Sequence, residues 1–427
     1  MTYQEAIDFL YDLQRSGVKL GLKRVKKLLS LLGNPHKNLQ VIHVGGTNGK
    51  GSVTTFISSI LKEAGFRIGT YTSPHLTRFN ERIAINGRQI KDEEITSLVE
   101  EIRPQVLKVG STSFGHPTFF EVTTAMAFLY FQRMKPEFVV CEVGLGGRLD
   151  ATNVLSSLIQ VITNIGVDHI DYLGNSIPCI AKEKAGIIKN SGTVIVGIYD
   201  QKVLRIFERI CSKRNATLFK IWRDMGWRLI SSNRSGQIFS IKGIVNRYDN
   251  LHIKLLGNHQ ILNAVLSVGV VELLRKFGIV VKEEGIRLGL AKAQLPGRLE
   301  IIRKNPLIVL DVAHNEDGAR ALRNAIVSLF TYDRLILVIG ILKDKAIDNI
   351  LEILTPLAST VVVTQPMVNR ATELDVLLRM ALRYNRNTVG FKEVKDGVRF
   401  AQALATESTL ILITGSHFTV SEARNFL

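Results

Sequence analysis

Residues 39–64 contain an apolar run, a glycine-rich turn and an amphipathic segment, in that order. The run 39–46 predicts a buried β-strand, and Val53–Ala64 has the apolar spacing of an α-helix. A strand that leads through glycines into a helix is the usual context of a phosphate-binding loop, because glycine lets backbone N–H groups curl round phosphate oxygens. This segment therefore predicts an α/β unit that binds a nucleotide.

The loop itself supplies candidate contacts to ATP. Lys50 would reach the β- and γ-phosphates, and the hydroxyl of Ser52 would bind magnesium. The match to the strict pattern is incomplete, because Val44 stands where a glycine is expected and Gly51 separates the lysine from the hydroxyl. A glycine-rich turn without a ligand is the alternative. The predicted ATP-binding residues of the loop are Gly46, Thr47, Asn48, Gly49, Lys50, Gly51 and Ser52.

The chain up to about residue 277 continues to alternate apolar and amphipathic segments. Further strands are predicted at 67–73, 137–144 and 159–168. Their uninterrupted apolar runs are typical of a parallel sheet that is covered on both faces. Residues 218–256 lack helical periodicity and predict a β-rich segment, and a helix is predicted at His259–Phe277.

A Pro296-Gly297 turn separates this region from a second alternating region. There, strands are predicted at 306–313, 334–340, 359–364 and 409–415, and helices at 317–329 and 347–357. The sequence thus predicts an α/β fold: a P-loop-containing N-terminal domain (1–296) with a mainly parallel sheet, and a smaller Rossmann-like C-terminal domain (297–427). A cleft between two such domains is a common place for a site.

Charge and cysteine content narrow the possible partners. The net charge of +17 would attract nucleic acid or small polyanions such as ATP. Five bases fall within 19–27, where they predict a solvated helix face, and no RNA-reading motif is found, so no nucleic-acid partner is expected.

Three sparse cysteines indicate reduced thiols and a cytoplasmic location. No apolar run is long enough to span a membrane, and a monomer is expected.

Polar residues follow several of the predicted strands. Glu142 ends a buried strand and is a candidate magnesium ligand, although an acid paired with a nearby lysine or arginine is the alternative. Asp168-His169 ends another strand, and 311–315 does the same in the second domain. On pattern alone, Lys182 and Lys184 lie on different faces of a helix and are solvated.

These fragments, in this order, resemble the folylpolyglutamate synthase/dihydrofolate synthase family of the Mur ligase superfamily. The matching motifs spread over residues 46 to 416, which is nearly the whole chain. The main ones are Gly46–Ser52, Thr72–Leu76, Glu142–Asn153, Glu183–Ile187, Gly257–Gln260, Pro296–Arg298, Leu310–Asn315, Lys343–Lys345 and Gly415-Ser416.

The resemblance implies an ATP-dependent ligase of folate and one-carbon metabolism that adds L-glutamate to a folate through an acyl phosphate. Dihydropteroate stays open as a second acceptor. The resemblance also implies two magnesium ions, with Lys184 carbamylated, because an unmodified ammonium has no acceptor with which to bind a metal. A P-loop NTPase switch, or a related Mur-type ligase with another carboxylate substrate, is the alternative.

Roles at single positions are likewise implied by the resemblance. The metal ligands would be Ser52, Glu142, His169 and Lys184. Beyond the loop, ATP would contact Asn263, Arg298 and Asp311. Folate or glutamate would contact Ser73, Pro74, His75, Arg82, His314 and Ser416. The catalytic residues would be Lys50, Lys184 and His314.

Overall fold

The computed structural model describes residues 1–17 and 19–427, and its largest sheet has eight strands. All neighbouring strands in this sheet are parallel except β2–β3 and β3–β4, and the order across it is β4-β3-β2-β5-β1-β6-β7-β8. The strands are β1 (Val41–Gly45), β2 (Ile68–Tyr71), β3 (Ile83–Ile85), β4 (Arg88–Gln89), β5 (Phe138–Glu142), β6 (Ser157–Ile162), β7 (Thr193–Val196) and β8 (Thr217–Lys220).

Helices cover both faces of this sheet, which is why the apolar runs of its central strands are buried throughout. One face packs against α1, α2, α4 and α5, and the other against α3, α10 and α11. The helices of this region are α1 (Tyr3–Asp12), α2 (Lys23–Leu31), α3 (Lys50–Glu63), α4 (Asp92–Gly110), α5 (Phe119–Met134), α6 (Ile170–Leu173), α7 (Ile177–Ala185), α8 (Gln201–Lys213), α9 (Ile221–Asp224), α10 (Asn258–Leu273) and α11 (Glu283–Lys292).

A three-stranded antiparallel sheet follows, in the order β11-β10-β9. Its strands are β9 (Gly226–Asn233), β10 (Gly236–Lys242) and β11 (Arg247–Ile253). Buried residues such as Phe239 and Leu251 join the core that α3 and α10 share. The predicted β-rich segment is therefore present, and it extends the covering of the large sheet.

The third sheet has six strands in the order β12-β13-β17-β14-β15-β16, and only β12–β13 is antiparallel. Its strands are β12 (Glu300–Lys304), β13 (Leu307–Leu310), β14 (Arg334–Ile339), β15 (Thr360–Thr364), β16 (Thr388–Phe391) and β17 (Thr409–Thr414). Its helices are α12 (Glu316–Leu329), α13 (Ile347–Leu354), α14 (Leu374–Leu382), α15 (Val394–Leu404) and α16 (His417–Arg424). The predicted fold class, a mainly parallel α/β sheet followed by a second α/β sheet, is confirmed.

Some local predictions differ from the structure. The strand predicted at 159–168 ends at Ile162, because Thr163 and Asn164 turn away to hydrogen-bond the P-loop. Arg24, expected on a solvated face of α2, instead pairs with buried Glu121 at 3.0 Å. Among the described residues, no helix is both long and apolar enough to cross a membrane.

Candidate active site

The P-loop joins β1 to α3 and requires glycine at two positions. Gly46 and Gly49 have φ angles of 141° and 80°, which disfavour other residues. A Cβ added to Gly46 would lie 1.8 Å from Thr163 Oγ1, and one added to Gly49 would lie 2.5 Å from Asn263 Oδ1. The loop is therefore packed tightly against its neighbours as well as sharply turned.

The end of β6 holds the P-loop in shape. The backbone N–H of Thr47 donates to Asn164 O at 3.1 Å, and that of Asn48 donates to Asn164 Oδ1 at 2.8 Å. Thr163 Oγ1 donates to Asn48 O at 2.5 Å. Two polar residues that follow a buried strand thus fix the loop that binds phosphate in proteins of this architecture.

Lys50 opens α3 and folds back over the loop, where its Nζ donates to Thr47 O at 3.1 Å. The N-terminus of α3 adds its own positive potential at the same place. A lysine ammonium and a helix N-terminus in a glycine-rich loop suit the oxygens of a nucleotide phosphate.

Glu142 lies at the end of β5, and only 4% of it is exposed. Its Oε2 accepts a hydrogen bond from Ser73 N at 3.2 Å. A Cβ on Gly51 would be 3.7 Å from the same oxygen, so the carboxylate faces the first turn of α3, which carries buried Ser52. Burial raises the pKa of Glu142, while the charge of Lys50 and the N–H of Ser73 oppose the rise.

Lys184 is buried, so its solvated placement on pattern grounds is wrong. Ala181, Lys184 and Ala185 share the inward face of α7, whereas Lys182 is exposed. Lys184 Nζ donates to Gly46 O at 2.7 Å. Burial, together with the charge of Lys50, lowers the pKa of Lys184 to about 7.

Asp168 links the P-loop side of the cleft to the second α/β unit. Its Oδ1 lies 2.6 Å from Lys345 Nζ, and its Oδ2 lies 3.2 Å from Asn315 Nδ2 and 3.6 Å from His314 Nε2. Burial works to raise the pKa of Asp168, but the neighbouring His314 ring and the charge of Lys345 hold it well below its usual range. The carboxylate is therefore ionised and paired across the cleft.

His169 follows Asp168 and immediately precedes α6, with a φ angle of 52°. Burial, aided by the charges of Lys345 and Lys50 and opposed by that of Asp168, lowers the pKa of its imidazole to about 4. His169 is therefore neutral at neutral pH, the form in which an imidazole nitrogen binds a metal.

The second α/β unit meets the P-loop through a pair of asparagines. Asn315 Nδ2 donates to Asn48 Oδ1 at 2.9 Å, and Asn48 Nδ2 donates back to Asn315 Oδ1 at 3.2 Å. Asp311 accepts from Leu299 N at 2.9 Å and from Ala313 N at 2.8 Å. Asp311 thus ties the carboxyl end of β13 to the turn before β12, and Asn315 holds this unit against the P-loop.

His314 and Ser416 lie on this second wall. Nδ1 of His314 is 2.8 Å from Val312 O, and its ring centroid is 5.6 Å from that of His417. Ser416 is 1% exposed and caps α16, because its Oγ accepts from Thr419 N at 3.0 Å. Burial lowers the pKa of His417 far below its ordinary value, so this part of the cleft holds a second neutral imidazole.

The opposite end of the cleft carries Arg82. Its guanidinium lies 5.2 Å from the centroid of the Phe119 ring, and its Nε donates to His75 Nδ1 at 2.8 Å. His75 therefore orients Arg82. An arginine against an aromatic ring suits a flat, anionic ligand.

One cavity of about 1580 Å³ collects these groups. Every predicted site residue lines it except Gly46 and His75. The site prediction omitted other residues that line this cavity, although several lie inside or beside the quoted motifs. Among them are Phe119, Phe120, Asp150, Asp168 and Lys345.

The donors in the cavity suit magnesium bound together with a nucleotide. Among the described residues, no three His, Cys, Asp or Glu side chains form a preassembled metal cluster. Magnesium does not need one, because it keeps several waters and takes one or two protein ligands plus phosphate oxygens. Ser52 and Glu142, placed beside the P-loop, carry the oxygen atoms that such a site would need.

Comparison with known proteins gives the family. The Mur ligase middle domain model matches residues 44–271, and the Mur ligase glutamate ligase domain model matches 297–417. Dihydrofolate synthase/folylpolyglutamate synthase of Bacillus subtilis (strain 168) is 39% identical over 431 residues, which cover 100% of this chain and 99% of that protein. The chain belongs to the dihydrofolate synthase/folylpolyglutamate synthase family. The resemblance found in its motifs is therefore confirmed.

Solved structures of the dihydrofolate synthase/folylpolyglutamate synthase family share the whole fold. Mycobacterium tuberculosis folylpolyglutamate synthase complexed with ADP matches with a TM-score of 0.92 and 32% identity, covering 99% of this chain and 98% of that one. Escherichia coli FolC in complex with DHPP and ADP matches with a TM-score of 0.89 and 30% identity, covering 100% and 97%. This chain is an enzyme of that family.

Proposed function

We propose that this chain is an ATP-dependent ligase that joins L-glutamate to the carboxylate of a folate and releases ADP and phosphate. One observation carries the proposal: a single cavity brings the P-loop residue Lys50 together with Asp311 and His314 of the second α/β unit. A nucleotide loop facing a second polar wall suits a reaction between ATP and two further substrates.

The chemistry requires an activated acyl group, because hydroxide is a poor leaving group from a carboxylate. An oxygen of the folate carboxylate attacks the γ-phosphorus of ATP and forms an acyl phosphate, and ADP leaves. The amine of glutamate then attacks the acyl carbon, and phosphate leaves with the electron pair of the broken C–O bond. The two α/β units on either side of the cavity shield the acyl phosphate from water.

The chain's cations oppose the repulsion of the first step. Two unit charges 4 Å apart repel by roughly 4 kcal/mol at an effective dielectric constant near 20. Lys50 and the α3 N-terminus would face the phosphates, and Arg82 and Arg298 line the same cavity. Magnesium, when bound, would add further neutralising charge, with Ser52 and Glu142 as ligands at one site and His169, Glu142 and the modified Lys184 at a second.

We propose that Lys184 is carbamylated. A buried amine with a pKa of about 7 is partly neutral at neutral pH, and a neutral amine reacts with CO₂. The resulting carbamate presents oxygen acceptors, whereas the ammonium has only donors. The modification would convert a buried cation beside Gly46 into an anionic ligand.

For the other substrates, we propose that L-glutamate binds near His314 and Ser416, and that the folate lies near Ser73, Pro74 and Arg82. His314 would position the incoming amine, because its ring faces the cavity from the second α/β unit. Adenine would lie near Asn263. We also propose two domains, 1–296 and 297–427, since each of the three sheets lies wholly on one side of that boundary.

An ADP-release assay tests the function. We expect ADP release that depends on both L-glutamate and a folate, and a comparison of dihydropteroate with tetrahydrofolate would identify the preferred acceptor. Release that does not depend on glutamate would favour a P-loop NTPase switch and contradict the proposal.

A further inference from the structure

The large cavity has an arm that runs from the P-loop along the outer face of α3. Its walls are small and polar, and the residues on α3 follow Ser52 at helical spacing. The facing wall comes from β2 and the turn between β3 and β4. We name this region the α3 arm and define it by Thr55, Ser58, Ser59, Lys62, Thr70 and Asn86.

The α3 arm leads to a second cavity of about 780 Å³, with which it shares Lys62 and Asn86. Four exposed cations line this second cavity, and none of them makes an ion pair within residues 1–17 and 19–427. We name them the cationic end of the arm: Lys62, Arg67, Arg88 and Lys91.

The two carboxylates of this second cavity already have partners. Glu94 accepts from Lys91 N at 2.8 Å and from Tyr130 OH at 3.2 Å. Glu137 accepts from Arg67 N at 2.8 Å. The four cationic side chains thus outnumber the acids and are left to attract an anion from outside the chain.

The proposed function, on which this inference rests, supplies such an anion. After each addition, the new terminal carboxylate must return to Lys50 and Ser52, so the pterin end moves one glutamyl residue further away. Each glutamyl residue between the pterin and the reacting terminal carboxylate keeps a free α-carboxylate. An acceptor that already carries several glutamates is therefore a polyanion with one end held at the P-loop.

We propose that the α3 arm and its cationic end hold the γ-glutamyl chain of such acceptors. Ser52 and Lys62 are ten residues apart on α3, which is about 15 Å at 1.5 Å per residue. An α-linked residue spans at most about 3.6 Å, and the two extra chain carbons of a γ-linkage extend this to the order of 6 Å. The α-carboxylates therefore reach the cationic end from about the third glutamate.

A double charge reversal, Lys62→Glu with Arg88→Glu, tests the inference. The readout is KM from ADP release at low salt, with tetrahydrofolate acceptors carrying one, three and five glutamates. We expect the ratio of the triglutamate KM to the monoglutamate KM to rise about fivefold or more. A change of this size matches the loss of interactions between exposed charges. The rise should shrink with added salt, because exposed charges are screened.

The matched control is Arg205→Glu with Lys213→Glu on α8, which makes the same change in net charge away from both cavities. Its KM ratio should equal that of the unaltered protein. The neutral variant Lys62→Gln with Arg88→Gln should have a KM ratio between those of the charge-reversal variant and the control. It replaces the charge-reversal variant if that variant does not fold.

An unchanged KM ratio would overturn the inference, whether the three KM values stay as they are or all rise by the same factor. A failure of the proposed function looks different. In that case the unaltered protein itself would show no glutamate-dependent ADP release with any of the acceptors.

Discussion

At the scale of single residues, burial decides what a titratable group can do. Lys184 and Lys182 are two positions apart on α7, yet only Lys184 is buried against the P-loop, where its pKa falls to about 7. His43 in β1 is fully buried, with Nε2 2.8 Å from Thr152 Oγ1 and with no partner for Nδ1 among the described residues. The same residue types on the surface would keep their ordinary chemistry.

Substitution of Lys184 by Ala should lower kcat/KM for ADP release by about two orders of magnitude, the usual loss when a charged group at a reacting centre is removed. The proposed carbamylation predicts that short carboxylates such as acetate restore part of the activity, because they supply oxygens in place of the carbamate. Lys182→Ala is the matched control and should behave like the unaltered protein. Full activity of the Lys184→Ala variant without rescue would remove Lys184 from the mechanism.

His43 should make the fold less stable in acid. Burial lowers the pKa of its imidazole from 6.5 to about 3, so the folded state favours the neutral ring. Its contribution to stability is complete above pH 6.5 and is lost as the pH falls from there towards 3, by up to about 1.4 kcal/mol per pH unit. The measurement is the free energy of unfolding in urea between pH 7 and 4.5.

The His43→Gln variant keeps a polar group at this position but cannot titrate. Its free energy of unfolding should therefore decrease less steeply as the pH is lowered. His116→Gln, at an exposed position, should keep the slope of the unaltered protein. Equal slopes for all three proteins would show that the His43 imidazole does not titrate as inferred.

At the scale of elements, the P-loop depends on a strand that lies far from it in the sequence. Thr163 and Asn164 directly follow β6, and their hydrogen bonds shape the turn between β1 and α3. Polar residues in this position interrupt what the apolar pattern predicted as a longer strand. The loop and the end of β6 therefore act as one unit, which a change on either side disturbs.

Gly46→Ala tests this unit. The new Cβ would meet Thr163 Oγ1, so we expect a loss of about 1–3 kcal/mol in the free energy of unfolding, together with weaker ATP binding. Gly65→Ala, after the end of α3, is the control: its φ angle of 96° is also unfavourable, but a Cβ there meets nothing within 4 Å. Equal losses in the two variants would mean that backbone strain alone matters.

At the scale of the whole molecule, the two α/β units are held together across the site. The Asp168–Lys345 pair and the Asn48–Asn315 pair join residues of the large sheet's loops to residues of the second unit. The side chains of the ion pair are 8% and 4% exposed, so each charge depends on the other. Contacts that build the active site are thus also contacts between the units.

Lys345→Met should destabilise the protein by about 3 kcal/mol, because it leaves the buried Asp168 carboxylate without its cation. The double variant with Asp168→Asn should recover part of this loss, which a double-mutant cycle of urea unfolding would measure. Lys343→Met, two residues away and exposed, is the control and should change little. Additive losses in the cycle would show that the pair is not coupled.

Much of this protein could be predicted from the sequence because its signals are local. The strand, glycine-rich loop and helix at 39–64 are neighbours in the chain, and so are the polar residues that end β5 and β13. Apolar runs are enough to predict a parallel sheet, since both faces of each central strand must be buried. The motifs, taken in order, were enough to predict the family.

Tertiary structure determined which residues that are distant in the sequence contact each other. Lys184 meets Gly46 across 138 positions of sequence, and Lys345 meets Asp168 across 177. No local pattern encodes such distances, because burial and pairing depend on which elements the fold brings together. The chain by itself therefore determined the elements and the family, while the fold determined which charges are buried, which imidazoles are neutral and where the cavity leads.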